Sequence, residues 1–518
     1  MKRRQFIQRV ASTGIVLPIA FGFPRMRAFG QSPKGSPFMR LAAAENDHVF
    51  VIIRLAGGND GLNTIVPYAN DLYYQARLAG SADDLSIAAA QVLKLSDSTT
   101  MGLHPSLAPL LPFYEEGKMA IVQNVGYPGQ NLSHFRSTDI WLSGSDYNVF
   151  DNVGWYAKYL EAKYPDYPEV LPEAPFAIEF GNFLSTTLIG EDNNMGVAVG
   201  DLSYIPGLPG TDDLASTKAG EEEAYVREVI RQSNIFSNAI LDAYVVGPDN
   251  TGRYTNASGG LGQGLAAVAR MVAGGLGTRM FILNVGGYDT HTNQLTVQAQ
   301  LHAQLAAAIS EFQSDITTLG LADRFSVGTI SEFGRRLQSN GTGTDHGSAA
   351  PVLFVGNGVN GGFFGSDPNL SDLDGPGNLK MEYDFRQLYA SILGQWYEAS
   401  ESEMDPALPR DFTQLPIFKT SATGVDGPTG PGNTTLTLGQ NVPNPASSSI
   451  TITLGGITVG MEATLAVYST VGREVMRRPI RAGETSVQLD VSGLPAGAYI
   501  YALNAGGART TRQMTVVR

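Results

Sequence analysis

The sequence predicts a three-layer α/β/α domain with a mostly parallel central sheet, followed by a small C-terminal β-sandwich. Over about residues 45–418, short and nearly continuous apolar runs alternate with helical stretches. This pattern is typical of strands that helices cover on both faces of a sheet. Beyond Phe418 the composition changes to a Gly/Pro/Thr linker. Short segments of alternating polarity then follow, separated by turn residues, which favours a sandwich.

Length and composition agree with two folded parts. The chain has 518 residues, 43% of them hydrophobic, enough for a large core and an accessory domain. The net charge of −14 argues against nucleic acid or an anionic membrane as a partner, because both select basic surfaces. The chain has no cysteine, which excludes disulfides, thiolate ligands and a cysteine nucleophile, so any metal would be held by oxygen and imidazole ligands.

Residues 1–30 are predicted to be an export signal. Lys2–Arg4 form a basic start, and the apolar stretch over about residues 11–23 is short and interrupted by Gly and Pro. Such a stretch is too short for a transmembrane span. RRQFI resembles a twin-arginine signal, a route that carries folded proteins, often with a cofactor in place. A Sec signal with a chance arginine pair is the alternative, and cleavage is expected after Gly30.

Five apolar runs are predicted as strands of the central sheet. They are HVFVIIRL (48–55), MAIVQNV (119–125), RMFILNV (279–285), RFSVGTI (324–330) and PVLFVG (351–356). A helix is predicted over 296–319, where apolar residues recur at steps of three and four. His302 lies off this apolar stripe and is predicted to be exposed. Asp384 is predicted to cap a further helix.

Polar residues follow four of these strands. The strand exits carry, in chain order, Asp60; Ser133, His134 and Arg136; Asp289 and His291; and Glu332, Arg335, Asp345 and His346. Because the carboxyl ends of parallel strands lie at one edge of the sheet, these residues are expected to gather there. Each loop also has an ordinary interpretation, since an Asp at a strand–turn boundary commonly satisfies backbone N–H groups.

Carboxylates and imidazoles without thiolates can hold as many as two divalent cations, with Zn, Mn, Mg or Ca as candidates. Such a site would polarise an anionic ester and stabilise its leaving oxygen. A serine hydroxyl could attack the ester, and Arg136 or Arg335 could clamp its nonbridging oxygens. The sequence therefore predicts hydrolysis of phosphate or sulfate esters, with a small anionic ester or a glycan as the substrate.

Four other features have two interpretations each. His104 is expected to cap or pack rather than to bind a metal. Thr64 is either a ligand or a cap, and Glu332 either reaches a metal or pairs with an arginine. The acidic, Gly-rich segment 150–260 is expected to be a lid or a surface elaboration.

Five segments, in order along the chain, resemble bacterial family 1501, a family of unknown function. They are LAGGNDGLNTIVPY, LHPSLAPL, QNVGYPGQNLSHFRSTDIW, GGYDTHTNQ and SEFGRRLQSNGTGTDHGSAAPVLFVG. The resemblance covers most of residues 45–400 and implies a remote relation to the alkaline phosphatase superfamily, with its fold and its divalent metals. By motif it implies metal ligands at Asp60, Asp289, His291, Asp345 and His346, and a nucleophilic or metal-bridging hydroxyl at Ser133.

The sequence departs from that superfamily in one respect, because no histidine follows His346. Either His134 supplies the missing ligand, or one metal is weakly held or absent. The alternative to a hydrolase is therefore a non-catalytic cell-surface protein that keeps the fold. A formylglycine sulfatase is excluded, since the chain has no Cys and no Ser-x-Pro-x-Arg.

Residues 436–518, which follow a linker at 419–435, resemble a type IX secretion C-terminal sorting domain of type A. The matching segments are QNVPNPASSSITITL, LAVYSTVGREV, LDVSGLPAGAYIYAL and TVVR. The resemblance implies recognition by the type IX machinery and passage to the outer membrane surface or the extracellular space. A carbohydrate-binding sandwich is the alternative, although no aromatic platform is evident in these residues.

Overall fold

The structure is a computed structural model that describes residues 46–200 and 235–419, apart from residues 169 and 192, and most of residues 437–517. The predicted signal and nearly all of the linker lie outside the described residues, as does the 201–234 part of the acidic segment. The chain divides into two compact units, one containing Asp47–Ser421 and the other Ala422–Arg518.

The first unit alternates strands and helices. Its strands are β1 (Val49–Leu55), β2 (Ile65–Val66), β3 (Leu93–Lys94), β4 (Gly102–Leu103), β5 (Met119–Gly126), β6 (Ala177–Phe180), β7 (Val197–Val199), β8 (Met280–Val285), β9 (Phe325–Ile330), β10 (Arg335–Ser339), β11 (Thr344–His346), β12 (Ala350–Val355), β13 (Gly362–Phe364) and β14 (Tyr383–Asp384). Its α-helices are α1 (Gly61–Thr64), α2 (Asp71–Ala76), α3 (Leu111–Glu115), α4 (His134–Ser143), α5 (Trp155–Lys163), α6 (Gly259–Ala273), α7 (Gln294–Thr318), α8 (Phe385–Ser391) and α9 (Glu401–Met404). Residues 235–246 are also helical.

Nine strands form the central sheet, in the order β13-β5-β12-β9-β1-β8-β6-β7, with β14 also paired to β5. Its adjacent strands are parallel except where β12 pairs with β5 and β9. The prediction of a mostly parallel sheet is confirmed. The run PVLFVG is a strand but runs antiparallel, because the chain returns to the sheet through the β10–β11 hairpin instead of a helical crossover.

Each face of the sheet packs against its own helical layer. On β1, Val49, Val51 and Ile53 enter one apolar cluster, whereas Phe50 and Ile52 enter another, as the alternation of side chains along a strand requires. The first cluster includes side chains of α6 and α7, and the second includes side chains of α4, α5 and α8. The predicted three-layer α/β/α architecture is therefore confirmed.

This topology brings the strand exits together. β1, β5, β8 and β9 all run in one direction, so their carboxyl ends lie at one edge of the sheet. β12 runs the opposite way, so its amino end lies at that edge too, directly after β11. The segment 150–260 is expected to be a lid or a surface elaboration, but within it α5 belongs to a helical layer and β6 and β7 extend the sheet.

His302 is fully buried, contrary to the predicted exposure. α7 packs against the helical turn Pro105–Leu110 and against α6, and its apolar side chains join those of β1 and β9 in the first cluster. The imidazole Nε2 of His302 lies 3.1 Å from the hydroxyl of Thr64, and its ring meets that of His104. The apolar stripe therefore marks only one of two buried sides of this helix.

The expected caps are largely present. Asp384 caps α8 in a capping box with Gln387, which confirms that prediction. His104 accepts a hydrogen bond from the N–H of Ser106, at 3.0 Å, at the start of its helical turn. Thr64 is buried within α1, and its hydroxyl donates to the carbonyl of Asp60.

The second unit consists of β-strands among its described residues. They are β15 (Thr437–Leu438), β16 (Ser449–Gly455), β17 (Ala463–Ser469), β18 (Glu474–Ile480), β19 (Ser486–Asp490), β20 (Gly497–Ala505) and β21 (Ala508–Val516). They form two antiparallel sheets, β15-β16-β19 and β18-β17-β20-β21, whose side chains share one apolar cluster. The predicted sandwich is confirmed. Over the described parts of both units, no helix is long and apolar enough to cross a membrane.

Candidate metal centre

Side chains from three loops meet at the carboxyl edge of the central sheet. His134 begins α4, Asp289 follows β8 and His346 ends β11. One potential ligand atom from each of these residues lies within 4.8 Å of the other two, and the described residues contain one such group. The Nε2 atom of His346 is 3.2 Å from one carboxylate oxygen of Asp289, and the Nε2 atom of His134 is 3.4 Å from the other.

A fourth side chain joins this group. The Nε2 atom of His291 lies 3.0 Å from Nε2 of His346 and 3.1 Å from a carboxylate oxygen of Asp289. We refer to His134, Asp289, His291 and His346 as the His–Asp cluster. Its members are partly exposed, from 22% for the side chain of His346 to 47% for that of Asp289, so the cluster is open to solvent.

The far side of each imidazole faces an oxygen atom. Nδ1 of His134 lies 2.8 Å from a carboxylate oxygen of Glu332, and Nδ1 of His346 lies 2.8 Å from the carbonyl oxygen of Leu132. Nδ1 of His291 is 3.5 Å from a carboxylate oxygen of Asp345. A carbonyl or carboxylate oxygen can only accept, so these contacts suit the tautomer with its proton on Nδ1, which a cation bound at Nε2 would require.

In that tautomer the Nε2 lone pairs of the cluster face one another and the carboxylate of Asp289. Nε2 of His134 is buried and has no hydrogen-bond partner among the described residues. A divalent cation fits this arrangement, because imidazole ligands in metal sites are typically oriented by an oxygen acceptor on their other nitrogen. Three imidazoles and one carboxylate suit a transition metal, zinc among others.

Arg335 keeps Asp289 ionised. Burial raises the pKa of the Asp289 carboxyl, but the hydrogen bond and charge of Arg335 outweigh it and bring that pKa to about 2. Arg335 is itself buried, and its guanidinium donates to the carbonyl oxygens of Gly57, Gly58 and Thr344. Contrary to the prediction of a substrate clamp, Arg335 has no exposed surface and instead joins the loops after β1 and β8 to β11.

Glu332 orients His134. One of its carboxylate oxygens accepts hydrogen bonds from Nδ1–H of His134 and from the N–H of Gly57, both at 2.8 Å. The residue is only 4% exposed. Neither sequence interpretation of Glu332, as a direct ligand or as the partner of an arginine, describes these contacts.

The substitution Glu332→Gln is expected to weaken divalent-metal binding by roughly 10–100-fold, because a neutral amide orients and polarises the imidazole less than a carboxylate does. Metal affinity is measured by competition with a chelator, and the apo protein's unfolding temperature shows whether the fold is kept. Glu179→Gln is the matched control, since Glu179 is equally buried but bonds to the N–H of Ser185. Equal losses in the two variants would contradict this role.

Asp60 lies outside the cluster. Its carboxylate is fully buried, pairs with the guanidinium of Arg77, and accepts from the N–H of Leu62 and the side-chain amide of Gln294. It also caps α1. The resemblance implied a metal ligand here, whereas the structure gives both carboxylate oxygens protein partners.

The remaining predicted residues surround the cluster at different depths. Asp345 lies behind His291 and accepts from the side chain of Asn340 at 2.9 Å. Ser133 precedes His134 at the start of α4, where it is exposed and its hydroxyl makes no capping bond. Arg136 donates to the carbonyl oxygens of Tyr147 and Val149, so its guanidinium holds a neighbouring loop.

Fold and cluster together define an α/β protein with a candidate metal centre. A family described as "Protein of unknown function (DUF1501)" matches residues 237–406, which include Asp289, His291, Asp345 and His346. A second family, described as "Secretion system C-terminal sorting domain", matches residues 442–517. Both resemblances are thereby confirmed over these residues. The sorting domain indicates export by the type IX machinery to the outer membrane surface or the extracellular space.

Several solved structures are similar to parts of the chain. One, dimeric latent PorU from Porphyromonas gingivalis, is 22% identical over 18% of this chain, which spans only 10% of that chain, with a TM-score of 0.14. A protein in the alkaline phosphatase superfamily from Vibrio parahaemolyticus is 8% identical over 85% of this chain and 84% of its own, with a TM-score of 0.29. A Bacteroides thetaiotaomicron protein described with the metabolism of multiple glycosaminoglycans is 11% identical over 86% of this chain and 90% of its own, with a TM-score of 0.31. No curated protein matches the chain.

Proposed function

We propose that this protein is a secreted, metal-dependent hydrolase of phosphate or sulfate esters. One observation carries the proposal: the Nε2 atoms of three imidazoles each lie 3.1–3.4 Å from a carboxylate oxygen of Asp289, and all four side chains are partly exposed. His134, Asp289, His291 and His346 would hold one divalent ion. When bound, such an ion supplies Lewis-acid chemistry and lowers the pKa of a coordinated water or hydroxyl.

The residues of the chain have distinct parts in this proposal. Glu332 and the carbonyl of Leu132 hold two imidazoles in the ligand tautomer. Arg335 holds Asp289 as a carboxylate. Ser133, exposed at the start of α4 and adjacent to His134, offers the attacking hydroxyl, and the N-terminal end of that helix favours an anionic ester beside it.

Metal analysis of the full chain, purified without chelator, tests the metal part of the proposal. We expect about one equivalent of a transition metal per chain, the number that a single four-ligand site holds. Phosphate monoesters, phosphate diesters and sulfate esters are then assayed with the metal-loaded protein, the chelated protein and the reconstituted protein. Absence of metal after reconstitution would overturn the site. A tightly bound metal without any ester hydrolysis would instead support a non-catalytic surface protein.

Ser133→Ala is expected to lower kcat by about 10³-fold or more while metal content stays unchanged, the pattern of a lost nucleophile. Steady-state hydrolysis of the best ester from that screen is the measurement. Ser402→Ala removes another exposed serine, in α9, and serves as the control. A Ser133→Ala enzyme with normal kcat would mean that water attacks the ester directly.

A further inference from the structure

Aromatic side chains lie exposed in and around α4, the helix that begins at His134. Phe135 is 86% exposed, Phe150 is 84% exposed and Tyr147 is 51% exposed. Arg136 links them, since it follows Phe135 in α4, donates to the carbonyl of Tyr147 and contacts the ring of Phe150. A group of exposed large apolar side chains marks a surface that binds something. We refer to these three residues as the aromatic rim.

The rim is attached to the loop that supplies part of the cluster. Phe135 directly follows His134 in α4. The ring of Tyr147 packs on Gly129, where an added Cβ would come within 2.9 Å of it. Gly129 belongs to the same loop as Leu132, whose carbonyl oxygen orients His346. The loop before α4 and the start of α4 therefore position both the rim and the candidate ligands.

Arg136 fixes the other part of the rim. Its guanidinium donates to the carbonyl oxygens of Tyr147 and Val149, at 2.9 and 2.6 Å, and lies 4.1 Å from the centre of the Phe150 ring. One face of Phe150 is thus covered by a cation, and the ring remains largely exposed. A ring held in this way loses little conformational freedom on binding, which favours affinity.

We propose that the aromatic rim binds the organic part of the ester, and that the substrate is accordingly an ester of a ring-bearing alcohol, an aryl group or a sugar, rather than of a small aliphatic alcohol. The inference rests on the proposed function, since it assumes that the anionic group binds at the His–Asp cluster. A flat ring can stack on Phe135 or Phe150 while its anion reaches the cluster next to His134.

Binding of phosphonates, which contain no hydrolysable ester, tests this inference. The metal-loaded full chain is titrated calorimetrically with methylphosphonate, phenylphosphonate and a glucosyl phosphonate. We expect one of the ring-bearing probes to bind about tenfold more tightly than methylphosphonate, the size of one good aromatic contact. Which probe binds more tightly distinguishes an aryl from a sugar substrate.

The double variant Phe135→Ala, Phe150→Ala is expected to lose this preference while its methylphosphonate affinity and its metal content stay unchanged. Val246→Ala is the control, because Val246 is 75% exposed and lies in the helix over 235–246. Tyr244 of this helix accepts a hydrogen bond from Arg270 in the last turn of α6, which precedes the amino end of β8, opposite the edge that carries the cluster. Equal affinities of the three phosphonates, no binding of any of them, or a preference that survives in the double variant would overturn the inference. If the preference is lost as expected but no ester is hydrolysed, the rim remains a binding site and the proposed hydrolase activity fails.

Discussion

Asp289→Asn is expected to lower the affinity for divalent metal by at least about 100-fold. Asp289 is the one carboxylate in the His–Asp cluster, and its two oxygens face the Nε2 atoms of three imidazoles. An amide oxygen is a much weaker ligand than an ionised carboxylate, and the amide nitrogen cannot bind a cation. Metal affinity is measured by chelator competition, and metal content by elemental analysis.

Asp345→Asn is the matched comparison for this prediction. The two aspartates have nearly equal exposure, 47% and 46% for their side chains, and each contacts His291. They differ in position, because Asp289 lies among the Nε2 atoms and Asp345 lies behind the Nδ1 atom of His291. Asp345→Asn is therefore expected to weaken metal binding only about tenfold, the lower end of the effect of an orienting partner.

The two variants also distinguish the ligand set seen in the structure from the ligand set that the family resemblance implies. The resemblance implies that Asp345 and His346 bind metal as a pair, whereas the cluster contains His346 without Asp345. A loss of metal in Asp345→Asn as large as in Asp289→Asn would favour the resemblance. Because Arg335 loses its charged partner in Asp289→Asn, the unfolding of the apo protein must be compared as well.

The strands could be predicted from the sequence because their signal is local. A run such as VFVIIRL is apolar on both faces, and the structure covers both faces of β1 with helices. The direction of β12 could not be predicted in this way, since it depends on how the β10–β11 hairpin turns the chain. His302 shows the same limit for helices, because the polar contact that buries it comes from Thr64 in a distant part of the sequence.

The position of the candidate site followed from the sheet, but the ligand set did not. Strand order places four loops at one edge, whichever residues they carry. Which carboxylate belongs to the cluster depends on arginine side chains from other parts of the sequence. Arg77 in the turn after α2 occupies Asp60, and Arg335 lies beneath Asp289 while leaving it partly exposed. The oxygen that orients His346 is the backbone carbonyl of Leu132, so no side-chain motif could predict this contact.

Arg77→Met is expected to destabilise the first unit by about 3–5 kcal/mol without removing bound metal. Both members of the Asp60–Arg77 pair are fully buried, and removing one of them leaves the other as an unpaired charge in the interior. Urea unfolding followed by tryptophan fluorescence reports on this unit, because the three tryptophans of the chain, Trp141, Trp155 and Trp396, are all in it. The substitution Lys380→Met, at an exposed ion pair with Asp372, is the control and should leave the unfolding midpoint unchanged.

A double variant distinguishes a structural pair from a metal ligand. Adding Asp60→Asn to Arg77→Met removes both charges, so part of the lost stability should return and the coupling between the two sites should be favourable by more than about 1 kcal/mol. Metal content in Asp60→Asn should match that of the unchanged protein, since no Asp60 oxygen lies in the His–Asp cluster. If Asp60→Asn instead loses its metal and keeps its stability, then Asp60 is a ligand as the resemblance implied, and the loop that carries it must move when the metal binds.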